Sequence, residues 1–214
     1  MFKLYTYFRS SAAYRVRIAL NLKGLPYESV PVHLLRDGGE QHAPDYVQLN
    51  PAELVPTLVD GEHALGQSLA IIEYLDEVHP SPLLLPGTAL ARARIRALAQ
   101  SIACDMHPLN NLRVLQYLAR EHQLDEAAKA MWVRHWITLG FTALEAQLQH
   151  ASTGLFCHGD TPTLADCCLV PQMFNARRFA TPLEGFPTLC RIEAACLALE
   201  AFQRAAPEAQ ADAA

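Results

Sequence analysis

Apolar residues crowd the first positions of the chain, Phe2–Tyr7, which predicts a short strand. Further on, Val16, Ala19 and Leu20 fall at helical spacing, and Gly24 supplies a stop. Tyr27–His33 reads as a second strand. Because a helical crossover precedes it, it should lie parallel to the first. A short helix near Asp45–Leu49 leads to Asn50-Pro51. Thr57–Asp60 and His63–Leu65, joined through Asp60-Gly61, read as a β-hairpin. A helix from Ser68 through Leu75 closes the unit.

The order βαβ followed by ββα is a thioredoxin-like layout. His79-Pro80-Ser81-Pro82 and Leu85-Pro86-Gly87 then interrupt the pattern and read as an interdomain linker. Past it the strands vanish. Ala89–Leu118 and Glu126–Leu148 read as long amphipathic helices, with shorter ones over Leu164–Phe179 and Leu189–Ala205. The expected fold class is an α/β thioredoxin-like N-terminal domain, residues 1–82, followed by an all-α C-terminal domain, residues 88–214. The stretch after Pro207, rich in Ala, Asp and Gln, is expected to fray.

Of the 214 residues, 51% are hydrophobic, enough for a packed core in each half. The net charge is −5 and no Lys/Arg run forms a broad basic face, which argues against a nucleic-acid partner. No apolar run approaches the ~18 residues that cross a bilayer. Met1-Phe2-Lys3-Leu4 lacks the layout of a secretory signal, so no membrane association and a cytoplasmic location are expected. The six cysteines, Cys104, Cys157, Cys167, Cys168, Cys190 and Cys196, show no CxxC spacing and are expected to be buried reduced thiols. The nine histidines show neither HExxH nor paired Cys/His spacing, so no metal is expected.

Chemistry enters at Ser10-Ser11, where the first strand hands over to the first helix. Free amide N–H groups and the positive end of the helix dipole gather at such a junction and suit an anion or a thiolate. Either serine is equally suited to plain helix capping. Val55-Pro56 stands just ahead of the third strand, where a proline without an N–H fits a tight turn. A cis peptide there would turn the N–H and C=O of Val55 outward, free to pair with an extended peptide. Thr163-Leu164-Ala165-Asp166 has the spacing of a capping box and is assigned to folding. Trp132, Trp136, Phe141 and Leu144 read as the core face of the second long helix.

Taken together, the thioredoxin-like unit, Val55-Pro56, Gln67-Ser68 at a helix start and the helical second half resemble a glutathione transferase. Ser10-Ser11-Ala12-Ala13-Tyr14-Arg15-Val16-Arg17-Ile18-Ala19-Leu20 resembles the SSCSxRVRIAL signature of the zeta class. Asp37–Gln41, Leu49-Asn50-Pro51, Gln67–Leu75, His107–Leu115 and Gly159-Asp160 through Pro171-Gln172 match the same pattern. One position departs: Ala12 stands where the signature usually carries cysteine. That excludes any mechanism requiring a thiol there, but some members of the class that isomerise maleylpyruvate also lack it.

The resemblance implies glutathione as cofactor, a small dianionic substrate and a homodimer. It implies cis–trans isomerisation of maleylacetoacetate or maleylpyruvate in aromatic catabolism. The alternatives are a general transferase conjugating electrophiles such as α-haloacids, and a non-catalytic glutathione-binding adaptor. Ser11 would hydrogen-bond the thiolate, with Ser10 as neighbour. Gln67 and Ser68 would receive the γ-glutamyl end, Val55 beside Pro56 the cysteinyl backbone, and Gln41 the glycine end. Arg9, Arg113, Arg177 and Arg178 are candidates for the substrate carboxylates, Arg178 aligning better than Arg177 with the family's substrate arginine. His107 and Asn111, four apart on the expected first long helix, would share a face and line one wall.

Overall fold

The computed structural model describes residues 1–213, which divide into two compact units. The first holds residues up to Leu85 together with the stretch from Leu197 onward, and the second runs from Pro86 to Cys196. In the first, β1 (Phe2–Thr6), α1 (Ser11–Leu22), β2 (Tyr27–Pro31), α2 (Pro44–Leu49), β3 (Thr57–Asp60), β4 (His63–Leu65) and α3 (Ser68–Val78) follow in order. The sheet runs β2-β1-β3-β4, with β1 parallel to β2 and antiparallel to β3, and β3 antiparallel to β4. Phe2, Leu4 and Thr6 of β1 are buried while Lys3 is exposed, as strand alternation requires. This is the thioredoxin-like arrangement that the pattern predicts.

α1 is buried on nearly every side, because it packs against α3 and against a C-terminal helix, α9 (Glu200–Ala205). Its C-terminus closes as a Schellman motif: Leu25 N–H bonds Leu20 C=O, Gly24 N–H bonds Asn21 C=O, and Gly24 sits at φ 63°. Lys23 at that end is buried. Its ammonium donates to Asp76 Oδ1 at 2.7 Å, His79 C=O at 2.8 Å and Pro82 C=O at 2.7 Å. Asp76 in turn accepts from the N–H groups of Leu84 and Leu85. The first part of the expected linker is thus fixed to the first unit.

The second unit is helical: α4 (Ala89–Gln100), α5 (Leu112–Glu121), α6 (Glu126–Gln147), α7 (Leu164–Arg178) and α8 (Pro187–Leu197), which ends at the boundary. Two sequence expectations need correction here. Ala89–Leu118 is not one helix: α4 runs into a π-helical turn at Ser101–Met106 and a 3₁₀ turn at His107–Asn110, and α5 starts afresh. Pro108 brings no N–H to the helical ladder, and Asn111, extended at φ −68° and ψ 149°, caps the new helix through its side chain. The helical domain also does not extend to residue 214, because α9 groups with the first unit.

Arg17 helps tie α9 to α1. Its guanidinium, fully buried in α1, donates to Ala205 C=O at 3.0 Å, Thr6 Oγ1 at 2.9 Å and Phe8 C=O at 2.9 Å. Burial lowers its pKa to about 10, so it stays charged at neutral pH. Replacing it with methionine leaves the Ala205 and Phe8 carbonyls without a donor, at roughly 1–3 kcal/mol for a buried one. Arg17→Met is expected to speed amide hydrogen exchange across Glu200–Ala205 well beyond that of α4. Unchanged exchange there would remove Arg17 as the clasp.

Candidate active site

α1 begins at Ser11 because Ser10, with φ −69° and ψ 115°, takes the N-cap position and its Oγ accepts from Ala13 N–H at 3.2 Å. The Ser10 hydroxyl is thereby committed to the cap. Ser11 is 9% exposed, and among the described residues its hydroxyl has no hydrogen-bond partner. The first turn of α1 carries no acidic residue, and just ahead of it the Phe8 N–H donates to Asp212 Oδ2 at 3.0 Å. Ala12 is half-buried beside it. Arg9, exposed, lies over the Phe8 ring at 4.7 Å and donates to Tyr7 Oη at 3.3 Å.

Val55 packs its side chain into a cluster with Tyr7, Val32 and Tyr46, which ties the chain before β3 to the approach to α1. The Val55-Pro56 peptide is cis. Among the described residues neither the N–H nor the C=O of Val55 has a hydrogen-bond partner. Preceding it, the Leu54 carbonyl accepts from Tyr46 Oη at 2.6 Å and Asn50 Nδ2 at 2.8 Å. Asn50 and Tyr46 were not singled out in the sequence as site supports. Only the Leu49-Asn50-Pro51 motif hinted at the first.

Gln41 is buried, 6% exposed, with Nε2 against His42 Nε2 at 2.9 Å and Oε1 without a hydrogen-bond partner among the described residues. Gly39, at φ 113°, lies so close that an added Cβ would stand 2.5 Å from the Gln41 amide. Gln67 precedes α3 at φ 64° and ψ 110°, a region that side-chain-bearing residues rarely occupy, and its own side chain is exposed. Ser68, the first residue of α3, is 6% exposed, and its Oγ accepts from Arg15 Nη1 at 3.2 Å. The first turn of α3 likewise carries no acidic residue. Arg15 is a further residue the sequence reading missed.

In the second unit His107 and Asn111 do not share an α-helical face, since the 3₁₀ turn and the extended Asn111 intervene. Asn111 Oδ1 accepts from Arg113 N–H at 3.3 Å, and the Arg113 side chain is exposed. Arg177 and Arg178 end α7. Arg177 is bound through Nε and Nη2 to the Glu193 carboxylate, and this hydrogen bonding raises its pKa. The Arg178 guanidinium lies 5.2 Å from the Phe179 ring centroid. Of the cysteines, Cys157, Cys167, Cys168 and Cys196 are buried, Cys190 half-buried and Cys104 exposed, all as free thiols. Phe141 and Leu144 are buried core, whereas Trp132 and Trp136 are only half-buried. Among the described residues no helix is long and apolar enough to cross a membrane.

The profile of the glutathione S-transferase N-terminal domain matches residues 4–83. A probable maleylacetoacetate isomerase of Vibrio cholerae is 55% identical over 98% of this chain and 97% of its own. A maleylpyruvate isomerase structure, described as a bacterial glutathione S-transferase in the zeta class, superposes with a TM-score of 0.96 at 50% identity, covering 99% of this chain and all of that one. The maleylacetoacetate isomerase structure of Methylobacterium extorquens AM1, with malonate and glutathione bound, gives 0.95 at 43% identity, covering 99% of each. The chain belongs to the zeta-class glutathione transferase family.

Proposed function

We propose that this protein is a glutathione-dependent cis–trans isomerase acting on maleylacetoacetate or maleylpyruvate, working as a cytoplasmic homodimer. The observation that carries the reading is the Ser11 hydroxyl, nearly buried at the start of α1 and without a hydrogen-bond partner among the described residues. Relatives named for these two isomerisations, similar over almost the whole chain, support it.

Bound glutathione supplies the thiolate that adds reversibly to the activated cis double bond and is regenerated as the trans product leaves. The protein's part is to hold that sulfur as an anion. The Ser11 O–H donates to it, and the positive end of the α1 dipole favours the charged form. Val55 presents N–H and C=O to the cysteinyl backbone. Gln41 receives the glycine end with its unpartnered Oε1 as acceptor for a peptide N–H. Gln67 and Ser68 take the γ-glutamyl end. A glycine would occupy φ 64° without strain, so Gln at position 67 points to a use for its side chain.

Because the protein is net negative, local arginines must attract the dianion. By the family resemblance, the candidates for carboxylate recognition are Arg9 in the first unit and Arg178 in the second, with Arg113 as a further cation and His107 and Asn111 as supporting residues, while the Arg177 guanidinium is bound to Glu193. Ala12 leaves the addition step to the cofactor's sulfur alone. The purified protein is expected to convert both maleyl substrates to their fumaryl isomers only when glutathione is present. Equal conversion without glutathione, or none with it, overturns the reading.

A further inference from the structure

α1 carries two buried arginines with different surroundings. Arg17 spends its guanidinium on Thr6 Oγ1 and on the carbonyls of Tyr7, Phe8 and Ala205, and so serves the fold. Arg15, 2% exposed, reaches from α1 to the start of α3, where Nη1 donates to Ser68 Oγ. Taking a guanidinium out of water costs several kcal/mol. A plain pin between two helices would not need a cation, since an apolar pair of similar volume holds such a contact as well or better.

We propose that Arg15 is a positioning residue for glutathione recognition, fixing the Ser68 hydroxyl so that its proton points to the γ-glutamyl α-carboxylate. This rests on the glutathione-binding reading above and names a residue that acts through another. A serine hydroxyl has one proton and two lone pairs, and its rotation decides which of them a ligand meets. With Arg15 donating into one lone pair, the proton is directed elsewhere and Ser68 becomes a donor. Arg15 lies four residues after Ser11, on the same face of α1. One helix face therefore bears the thiolate donor and, one turn on, the residue that orients the donor for the opposite end of the tripeptide.

The test measures dissociation constants by titration calorimetry, with glutathione and with 4-aminobutanoyl-cysteinyl-glycine, which lacks only the γ-glutamyl α-carboxylate. Wild type, Arg15→Lys, Arg15→Gln, Ser68→Ala and the Arg15→Lys/Ser68→Ala double variant are compared, each checked for a cooperative melt. Arg15→Lys keeps the charge and Arg15→Gln keeps a donor, so at least one folded variant is available should the other fail. Glutathione binding is expected to weaken about tenfold or more in either arginine variant, the range of a charge-assisted hydrogen bond. Binding of the decarboxylated analogue should barely move, and most of the loss should disappear in the Ser68→Ala background. Equal losses for both ligands, or losses that simply add in the double variant, would mark Arg15 as a structural pin and overturn the inference. Failure of the wild type to bind glutathione would instead sink the reading on which it rests.

Discussion

Replacing Ser11 with alanine is expected to lower glutathione-dependent turnover by about 100- to 1000-fold, the loss seen when a single preorganised donor to a developing anion is removed. The two serines at the start of α1 differ in what they hold. Ser10 Oγ is occupied by Ala13 N–H, so removing it should weaken the helix by about 1 kcal/mol. Ser11 Oγ has no hydrogen-bond partner among the described residues, so its loss should leave the melting temperature nearly unchanged. The variant should also raise the pKa of the bound thiol, read from the ultraviolet absorbance of the thiolate across a pH titration. A well-folded Ser11→Ala protein with wild-type turnover and an unshifted thiol would assign the sulfur to another donor.

Asp166→Ala should have the opposite signature. The Asp166 carboxylate is fully buried and accepts from Thr163 N–H, Thr163 Oγ1 and Cys157 N–H, each at 2.8 Å. It thus caps α7 and holds the preceding loop at once. Removing it strands buried donors at roughly 1–3 kcal/mol each, some of which relaxation recovers. A net loss of about 3 kcal/mol lowers the melting temperature by roughly 6–12 °C for a chain of this size. The Michaelis constant for glutathione should not change, and a selective loss of glutathione affinity at full stability would contradict the folding role.

The pH dependence has a definite sign. Burial raises the Asp166 carboxyl above the ordinary aspartate range, against the lowering effect of its hydrogen bonds. The folded state therefore holds that proton more tightly than the unfolded chain. This group's contribution to stability grows as pH falls through its raised pKa, and fades as pH rises through it.

Local order was readable wherever neighbours in sequence decide it. Thr57–Asp60 and His63–Leu65 form strands at those bounds, since Asp60-Gly61 dictates the turn between them. Gly24 ends α1 because the Schellman bonds need only residues of its own last turn. The break at Pro108 was less legible, because a proline inside an apolar-periodic stretch kinks a helix or ends it according to what packs nearby. Arg15, Arg17 and Lys23 were not legible at all. Charged residues on a helix normally face water, and nothing local marks the three that do not.

By itself the sequence determined the kind of each element, the parallel pairing of β1 with β2, and the family, because turn chemistry, periodicity and motif spacing are local quantities. The tertiary structure alone decided that α9 clasps α1, that Ser68 meets Arg15 and that Glu193 takes Arg177. Their partners stand 188, 53 and 16 residues away along the chain. A buried charge is tolerated only where the fold brings an acceptor to it, and that meeting is written in no single stretch of residues.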